Sequence, residues 1–510
     1  MSASAAWSVC LVGMEGTMVE VEAAIGGGLP KTVLVGLPDT ALYEARDRCH
    51  AAVGCCGLDW PSQLVTINLT PATLPKAGSH YDLAIVAAVL AAAGSVPAET
   101  ANRVVMMGEL GLDGRVRPVR GILPGLLAAQ EAGFDVAVVP ASQVREAQLV
   151  EGMTIWGVHH LPDLVDVLHG RPVITQLPPR PEPVAADPSK VLDMADVVGQ
   201  EEAKFALEVA AAGRHHLYLT GPPGVGKTML AERLPELLPN LTRAESLEVS
   251  AVHSLAGRDL NGGLVERPPF ADPHHNASLA SLVGSGQRVA RPGSISLAHR
   301  GVLFLDEAPE FGLATLDALR TPLESGWVSI GRAHVQARFP ARFQLVLAAN
   351  PCPCGNHGTV GARCQCTPMA VRRYAEKLSG PILDRVDLTS RLVPLRKGYL
   401  KSARGRGAST AAVAARVLAA RQRQAHRLRG TPWLTNGEVP GAWLRAHLPM
   451  PEGSELIDDA LVHQQLSSRG VDKVLRVAWT LADLDASARV RRDHVEAALT
   501  LRRGERSEAA

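Results

Sequence analysis

At 510 residues the chain exceeds one ordinary core, and two to four domains are expected. Its make-up, 46% apolar, 20% charged and 4% aromatic, is that of a soluble globular protein. A net charge of +1 excludes a global field for nucleic acid, so any such binding rests on local basic surfaces.

The opening MSASAAWSVCLVGMEG has no basic region and no long apolar core, so no signal peptide is expected. Residues 1–170 alternate strand-like runs (KTVLVGLP, QLVTINLT, DVAVVP) with Ala-rich helical segments, which predicts a mixed α/β domain. The longest apolar run, LAIVAAVLAAA at 83–93, is about half of a membrane span and reads as a buried helix. A soluble cytoplasmic protein with no membrane partner is expected, and clustered cysteines there are more often ligands than disulfides. The stretches TINLTPATLPKAGSHYDLAIVAAVL and MGELGLDGRVRPVRGILPGLLAAQEAGFDVAVVP resemble the Lon protease domain. Lon-type proteolysis needs a Ser nucleophile and a Lys base within reach of each other. The resemblance sets the serine position on His80 and the lysine position on Gly125, and neither can serve. Ser79 and Lys76 stand nearby but out of frame. A non-catalytic relative is implied, used for ring assembly, partner docking or nucleic-acid handling.

RPVITQLPPRPEPVAADPSK (171–190) reads as an extended Pro-rich linker. Beyond it, 191–395 returns to α/β alternation. HHLYLTGPPGVGKTMLAERL (215–234) is a strand, a glycine-rich turn and a helix, with Gly221, Pro222, Pro223, Gly224, Val225, Gly226, Lys227, Thr228 and Met229 as the candidate nucleotide-binding residues. This is a P-loop in its required context. Its backbone N–H groups curl around phosphates, Lys227 reaches the β- and γ-phosphates, and Thr228 ligates Mg²⁺. ATP and Mg²⁺ are the expected cofactors. In GVLFLDEAPEF (301–311) a strand ends in Asp306, suited to Mg²⁺, and Glu307, suited to general base. FQLVLAANP (343–351) is another buried strand, ending in Asn350. That amide either orients water and senses the γ-phosphate or simply forms a turn.

Between these elements lie a long insertion (253–294) and GWVSIGRAHVQARFPARF (326–343), whose period-2 alternation predicts a hairpin with Gly331 near its tip. After Asn350 come Cys352, Cys354, Cys364 and Cys366 in two C-x-C pairs. Four thiolates suit a closed structural Zn²⁺ site; free thiols and redox chemistry are the alternatives. From 396 to the end helical patterns dominate. RKGYLKSARGRGASTAAVAARVLAARQRQAHRLRG (396–430) contains no acid, with Val413, Val417, Ala420 and Leu428 near one face and Arg416, Arg423 and Arg427 on others. An electrostatic role toward DNA competes there with a solvated helix face.

FADPHHNASLASLVGSGQRVARPGSISLAHRGVLFLDEAPEF, AANPCPCG and LSGPILDRVDL resemble the magnesium-chelatase-like AAA+ family, in its ComM/YifB subfamily, across nearly the whole chain. The resemblance implies an α/β P-loop core of parallel sheet and flanking helices, a Lon-like domain before it and a helical C-terminal lid (396–510). It makes Asn350 sensor 1, Arg385 an arginine finger reaching a neighbouring subunit, and Arg476 sensor 2. Where the family pattern carries an Arg this chain has Trp479. A finger acting in trans implies a ring, and the family points to a hexamer. The insertions resemble pore loops, with Arg288, Arg291, Arg332, His334 and Arg338 as candidate phosphate contacts. The implied function is an ATP-driven helicase for branch migration in recombination or DNA uptake. A protein remodeller or chelatase-like ATPase is the alternative, and the missing Ser–Lys pair argues against a protease.

Overall fold

The computed structural model describes residues 2–36, 40–74, 76, 78–173, 192–285, 290–331, 336–359, 361–394 and 407–504. The N-terminal part is built on β1 (Ser2–Val12), β2 (Glu15–Gly26), β3 (Lys31–Val35), β4 (Leu64–Thr70) and β5 (Val105–Met106). A small hairpin, β6 (Glu109–Leu110) with β7 (Val116–Arg117), precedes β8 (Val136–Pro140) and β9 (Thr154–Val158). Seven of these form a mixed sheet in the order β3-β4-β2-β1-β5-β8-β9. Along β2 the alternation shows directly: Val19, Val21, Ala23 and Ile25 face the core while Glu20 and Glu22 face away. The apolar run expected as a buried helix forms Asp82–Ala92, and all of its residues are buried. A helix apolar on every side has no solvent face to offer, so it sits inside.

The second sheet is parallel throughout. It comprises β10 (Leu217–Thr220), β11 (Phe270–Ala271), β14 (Val302–Leu305), β17 (Gln344–Ala349) and β18 (Leu388–Arg391), in the order β11-β14-β17-β10-β18. Two antiparallel pairs lie outside it: β12 (Gly284–Ser285) with β13 (Arg291–Pro292), and β15 (Trp327–Gly331) with β16 (Gln336–Pro340). The latter is the hairpin read from period-2 alternation. Parallel pairing of Thr220 with Ala349 and of Leu305 with Leu347 brings three strand ends to one edge. In open α/β sheets that carboxyl edge is where ligands bind.

Five C-terminal helices follow among the described residues: Thr410–Arg427, Gly441–His447, Ser454–Val462, Ser468–Leu484 and Arg492–Arg503. Val413, Val417, Ala420, Val474, Val477 and Ala478 share one apolar core with Leu217, Leu219 and Val346 of the sheet. The arginines of the basic helix are taken by neighbours. Arg416 pairs with Glu208 at 2.6 Å, Arg421 donates to the Ala211 carbonyl at 2.7 Å, and Arg423 donates to the Asp483 carbonyl at 2.8 Å. Arg427 forks onto Asp483 at 2.6 Å. The free basic face considered for DNA is therefore replaced, over 407–430, by a helix clamped to its own core; 396–406 lie outside the described residues.

The two sheets meet at defined points. Helix Arg243–Ala256 sends the Ser254 hydroxyl onto the buried Glu146 carboxylate. The turn between β1 and β2 receives the hairpin: the Met14 N–H donates to the Arg338 carbonyl at 3.3 Å. Gly13, at φ +63°, permits that approach, since a Cβ there would stand 2.4 Å from the same carbonyl oxygen. Among the described residues no helix is long and apolar enough to cross a membrane.

Candidate active site

β10 ends at Thr220 and the P-loop turns at once, with Gly224 and Gly226 at φ +76° and +96°. A side chain would be strained at either, so the sequence spends glycine there. Lys227 opens the following helix, almost wholly buried. Its Nζ donates to the Gly221 carbonyl at 2.7 Å, the Pro222 carbonyl at 3.0 Å and Asn350 Oδ1 at 2.9 Å. Burial pushes the ammonium below its usual value, while Asp306 and Glu307 hold it up against that. The end of β17 thus reaches the P-loop lysine directly, which a turn-forming Asn would not require.

Thr228 donates its hydroxyl to Asp306 Oδ2 at 2.7 Å. Octahedral Mg²⁺, with oxygens at about 2.1 Å, sets adjacent ligands about 2.9 Å apart, so these two oxygens fit one edge of its shell. Asp306 Oδ1 accepts from the Glu307 N–H at 2.8 Å. Glu307 itself sits at φ +49°, a left-handed conformation that swings its carboxylate off the strand axis. Its Oε2 lies 3.4 Å from Nδ1 of His275, whose ring packs 4.1 Å from that of His274. His275 had no role in the sequence reading, although its segment, ADPHHNAS, contributed to the family resemblance. A cavity of about 630 Å³ adjoins the P-loop, lined by Asp196, Gln200, Pro222 to Gly226, Met229, Asn356 and Thr359. That volume suits a nucleotide-sized ligand.

The four cysteines converge, with all their sulfurs within 4.8 Å of one another. Cys352 Sγ lies 3.4 Å from that of Cys354 and 3.8 Å from that of Cys364; Cys354 and Cys364 are 3.7 Å apart. Tetrahedral Zn²⁺ with Zn–S of about 2.3 Å has edges of about 3.8 Å, so the donor set fits. The His357 N–H points at Cys352 Sγ at 3.3 Å. Backbone N–H groups of Asn356 and Gln365 draw the Cys354 thiol down to about 6. Against backbone N–H bonds, desolvation and the neighbouring sulfurs push the Cys364 and Cys366 thiols up, that of Cys366 to about 11.

A second cavity, of about 660 Å³, holds both remaining arginines, Arg385 and Arg476, together with Glu324, Asp387, Arg469 and Lys473. Arg385 donates from one Nη to Glu324 and from the other to the Pro381 carbonyl at 2.7 Å. Arg476, on helix Ser468–Leu484, has a buried Nε without a hydrogen-bond partner, and burial lowers its pKa against the pull of Asp387. Neither arginine lines the P-loop cavity of its own chain.

Comparison with known proteins accounts for this assembly. "Magnesium chelatase, subunit ChlI" matches residues 193–399, "Subunit ChlI of Mg-chelatase" residues 21–143, and the ChlI C-terminal family residues 407–502. An uncharacterized protein of Mycobacterium tuberculosis is 52% identical over 98% of this chain and 99% of its own length. YifB of Escherichia coli is 40% identical over 98% and 97%, and competence protein ComM of Haemophilus influenzae 38% over 98% of each. The chain belongs to the magnesium-chelatase-like AAA+ family, in its ComM/YifB subfamily.

In this ComM/YifB chain the other expected positions divide. Arg291 on β13 and Arg338 on β16 are exposed. Arg288, Arg332 and His334 lie outside the described residues. In the N-terminal part, Lys76 is fully buried and donates from Nζ to the Gly36 carbonyl at 3.1 Å and to the Pro71 carbonyl. Ser79 donates to Glu109, and His80 contacts the Val9 carbonyl at 2.8 Å. Ser79 and Lys76 thus turn to different partners. Gly125 is packed so that a Cβ would stand 2.7 Å from the Met107 sulfur.

Proposed function

We propose that this protein is an ATP-hydrolysing ring motor that acts on branched or single-stranded DNA, promoting branch migration in recombination or DNA uptake. The observation that carries the reading is the meeting of Thr228, Asp306 and Glu307 beside the Lys227–Asn350 contact. The 38% identity with a protein named for competence supports a role in DNA uptake. P-loop N–H groups hold the phosphates, and Lys227 meets their charge as Asn350 keeps its ammonium in place. Thr228 and Asp306 would hold Mg²⁺, which when bound neutralises charge on the phosphate oxygens. Glu307 takes a proton from the attacking water, and His275 orients that carboxylate. Arg385 reaches the phosphates of the adjoining subunit in a ring, read as a hexamer, and Arg476 from the same cavity accompanies it. Zn²⁺ on Cys352, Cys354, Cys364 and Cys366 would be structural, with all four positions filled by thiolates.

Arg291 and Arg338, with Arg288, Arg332 and His334, contact DNA phosphates without reading sequence. The test is ATP turnover with and without forks, four-way junctions and duplex. Stimulation by branched DNA, lost in Arg338→Glu, is expected. Turnover indifferent to every DNA would contradict the motor and favour a protein remodeller.

A further inference from the structure

The cysteine cluster and the P-loop touch. Gly355, beside Cys354, is buried at φ +79°, and a Cβ there would stand 2.4 Å from Pro223 Cδ and 2.7 Å from its Cγ. No side chain fits in that gap, so the cysteine loop lies against the phosphate loop through a glycine. From this contact the chain runs along the cavity. Asn356 and Thr359, both half-buried, line it together with Asp196 and Gln200.

Among the described residues, few other hydrogen bonds hold this wall. The segment 351–359 is turns and irregular structure. Its own bonds are short-range: the Gly355 N–H to the Cys352 carbonyl at 2.9 Å and the Thr359 N–H to the Asn356 carbonyl at 3.2 Å. Beyond the cysteines, Arg391 at the end of β18 reaches the Gly358 carbonyl at 3.3 Å. The thiol cluster, joining 352–354 to 364–366, is the principal closure of the loop. Whatever holds the four sulfurs together therefore holds one side of the nucleotide cavity.

We propose that the four-thiolate site is a determinant of nucleotide binding. Bound Zn²⁺ fixes 355–359 so that the Asn356 amide and the Thr359 hydroxyl face the nucleotide and Gly355 braces Pro223. This deepens the nucleotide-site reading and rests on it. Its consequence is that affinity for nucleotide follows occupancy of a metal site that takes no part in hydrolysis. Loss of the metal leaves the P-loop and Asp306 in place but frees the wall, whose reordering then opposes binding.

The experiment uses full-length protein purified without chelator, with zinc measured by mass spectrometry and a fluorescent ADP analogue as ligand. One equivalent of zinc is expected. Stripping it with a thiol-competing chelator weakens nucleotide binding by about tenfold or more, and added Zn²⁺ restores it. Asn356→Ala keeps its zinc and loses about fivefold to tenfold in affinity, as expected for one or two hydrogen bonds. Gly355→Ala also keeps zinc yet binds nucleotide more weakly, because its methyl meets Pro223. If stripping unfolds the chain, as read by circular dichroism, these two zinc-loaded variants decide the matter. Zinc-free but folded protein that binds as tightly as before overturns the proposal, as does a chain purified without zinc, or unchanged affinity in both variants. Wild-type protein that binds no nucleotide with zinc in place overturns the nucleotide-site reading instead.

Discussion

Glu307 occupies left-handed backbone, which costs a non-glycine residue about 1–2 kcal/mol. That strain is offset by what surrounds it: its N–H is fixed by Asp306, and His275 stands 3.4 Å from its carboxylate. Glu307→Gln removes the base without disturbing the metal oxygens. We expect ATP turnover to fall by about 10²–10⁴-fold while binding of the fluorescent ADP analogue stays intact. Full turnover in that variant would exclude Glu307 as the base. His275→Ala should cost about tenfold in turnover and shift the pH–rate profile, as expected for a group that sets the position of the base. An unchanged profile would leave His275 with packing alone. Lys227, Thr228 and Asp306 were legible in the sequence because a P-loop and an acidic strand end have fixed local spacing. His275 was not: its partner lies on another segment, and nothing local distinguishes an oriented imidazole from a loop histidine.

Lys473 ties one helix to the segment that carries Arg385. From helix Ser468–Leu484 its Nζ donates to the Arg385 carbonyl and to Asp387 Oδ1, each at 2.6 Å. Burial works to raise the Asp387 carboxyl, and the charge of Lys473 overcomes it and holds the group below its usual range. Lys473→Met strands a buried carboxylate, so we expect about 3–5 kcal/mol of lost stability, measured as a lower urea midpoint. An unmoved midpoint would show the pair to be dispensable. The same region carries a pH dependence. His215, His216, His253 and His299 are each pushed down to about 4, chiefly by burial. Their unfolded value is about 6.5, so their neutral burial contributes fully above it. As pH falls from about 6.5 to about 4 the unfolded chain takes up protons that the fold refuses, and stability drops. Asp82, raised to about 6 by burial, and Glu146, also raised by burial, act in the opposite sense, two groups against four. The urea midpoint should therefore be lower at pH 5 than at pH 7.5; equal midpoints would contradict the burial of these imidazoles. The helical face of Val413, Val417, Ala420 and Leu428 was legible from periodicity and is buried. The commitment of Arg416 and Arg427 was not, since Glu208 and Asp483 are far from them in sequence.

At the scale of the whole molecule, the cavity beside the P-loop is lined by neither Arg385 nor Arg476, while a separate cavity gathers both. Subunits are expected to complete one another. Lys227→Ala and Arg385→Ala chains, each inactive alone, should regain part of the ATPase when mixed, because some interfaces then pair an intact P-loop with an intact finger. Additive, unrecovered activity would argue against the trans arrangement. The α/β alternation of the second part was legible from the sequence, and its parallel sheet followed from the family resemblance. Docking of the β15–β16 hairpin on the β1–β2 turn was not, as it rests on two backbones meeting at Gly13. That contact links the N-terminal part to the hairpin bearing Arg338. The most direct test of a DNA motor is migration of a fluorescently labelled four-way junction by purified protein with ATP. ATP-dependent conversion to migrated products is expected, absent with Lys227→Ala or Glu307→Gln. A junction left intact by protein that is hydrolysing ATP would contradict it.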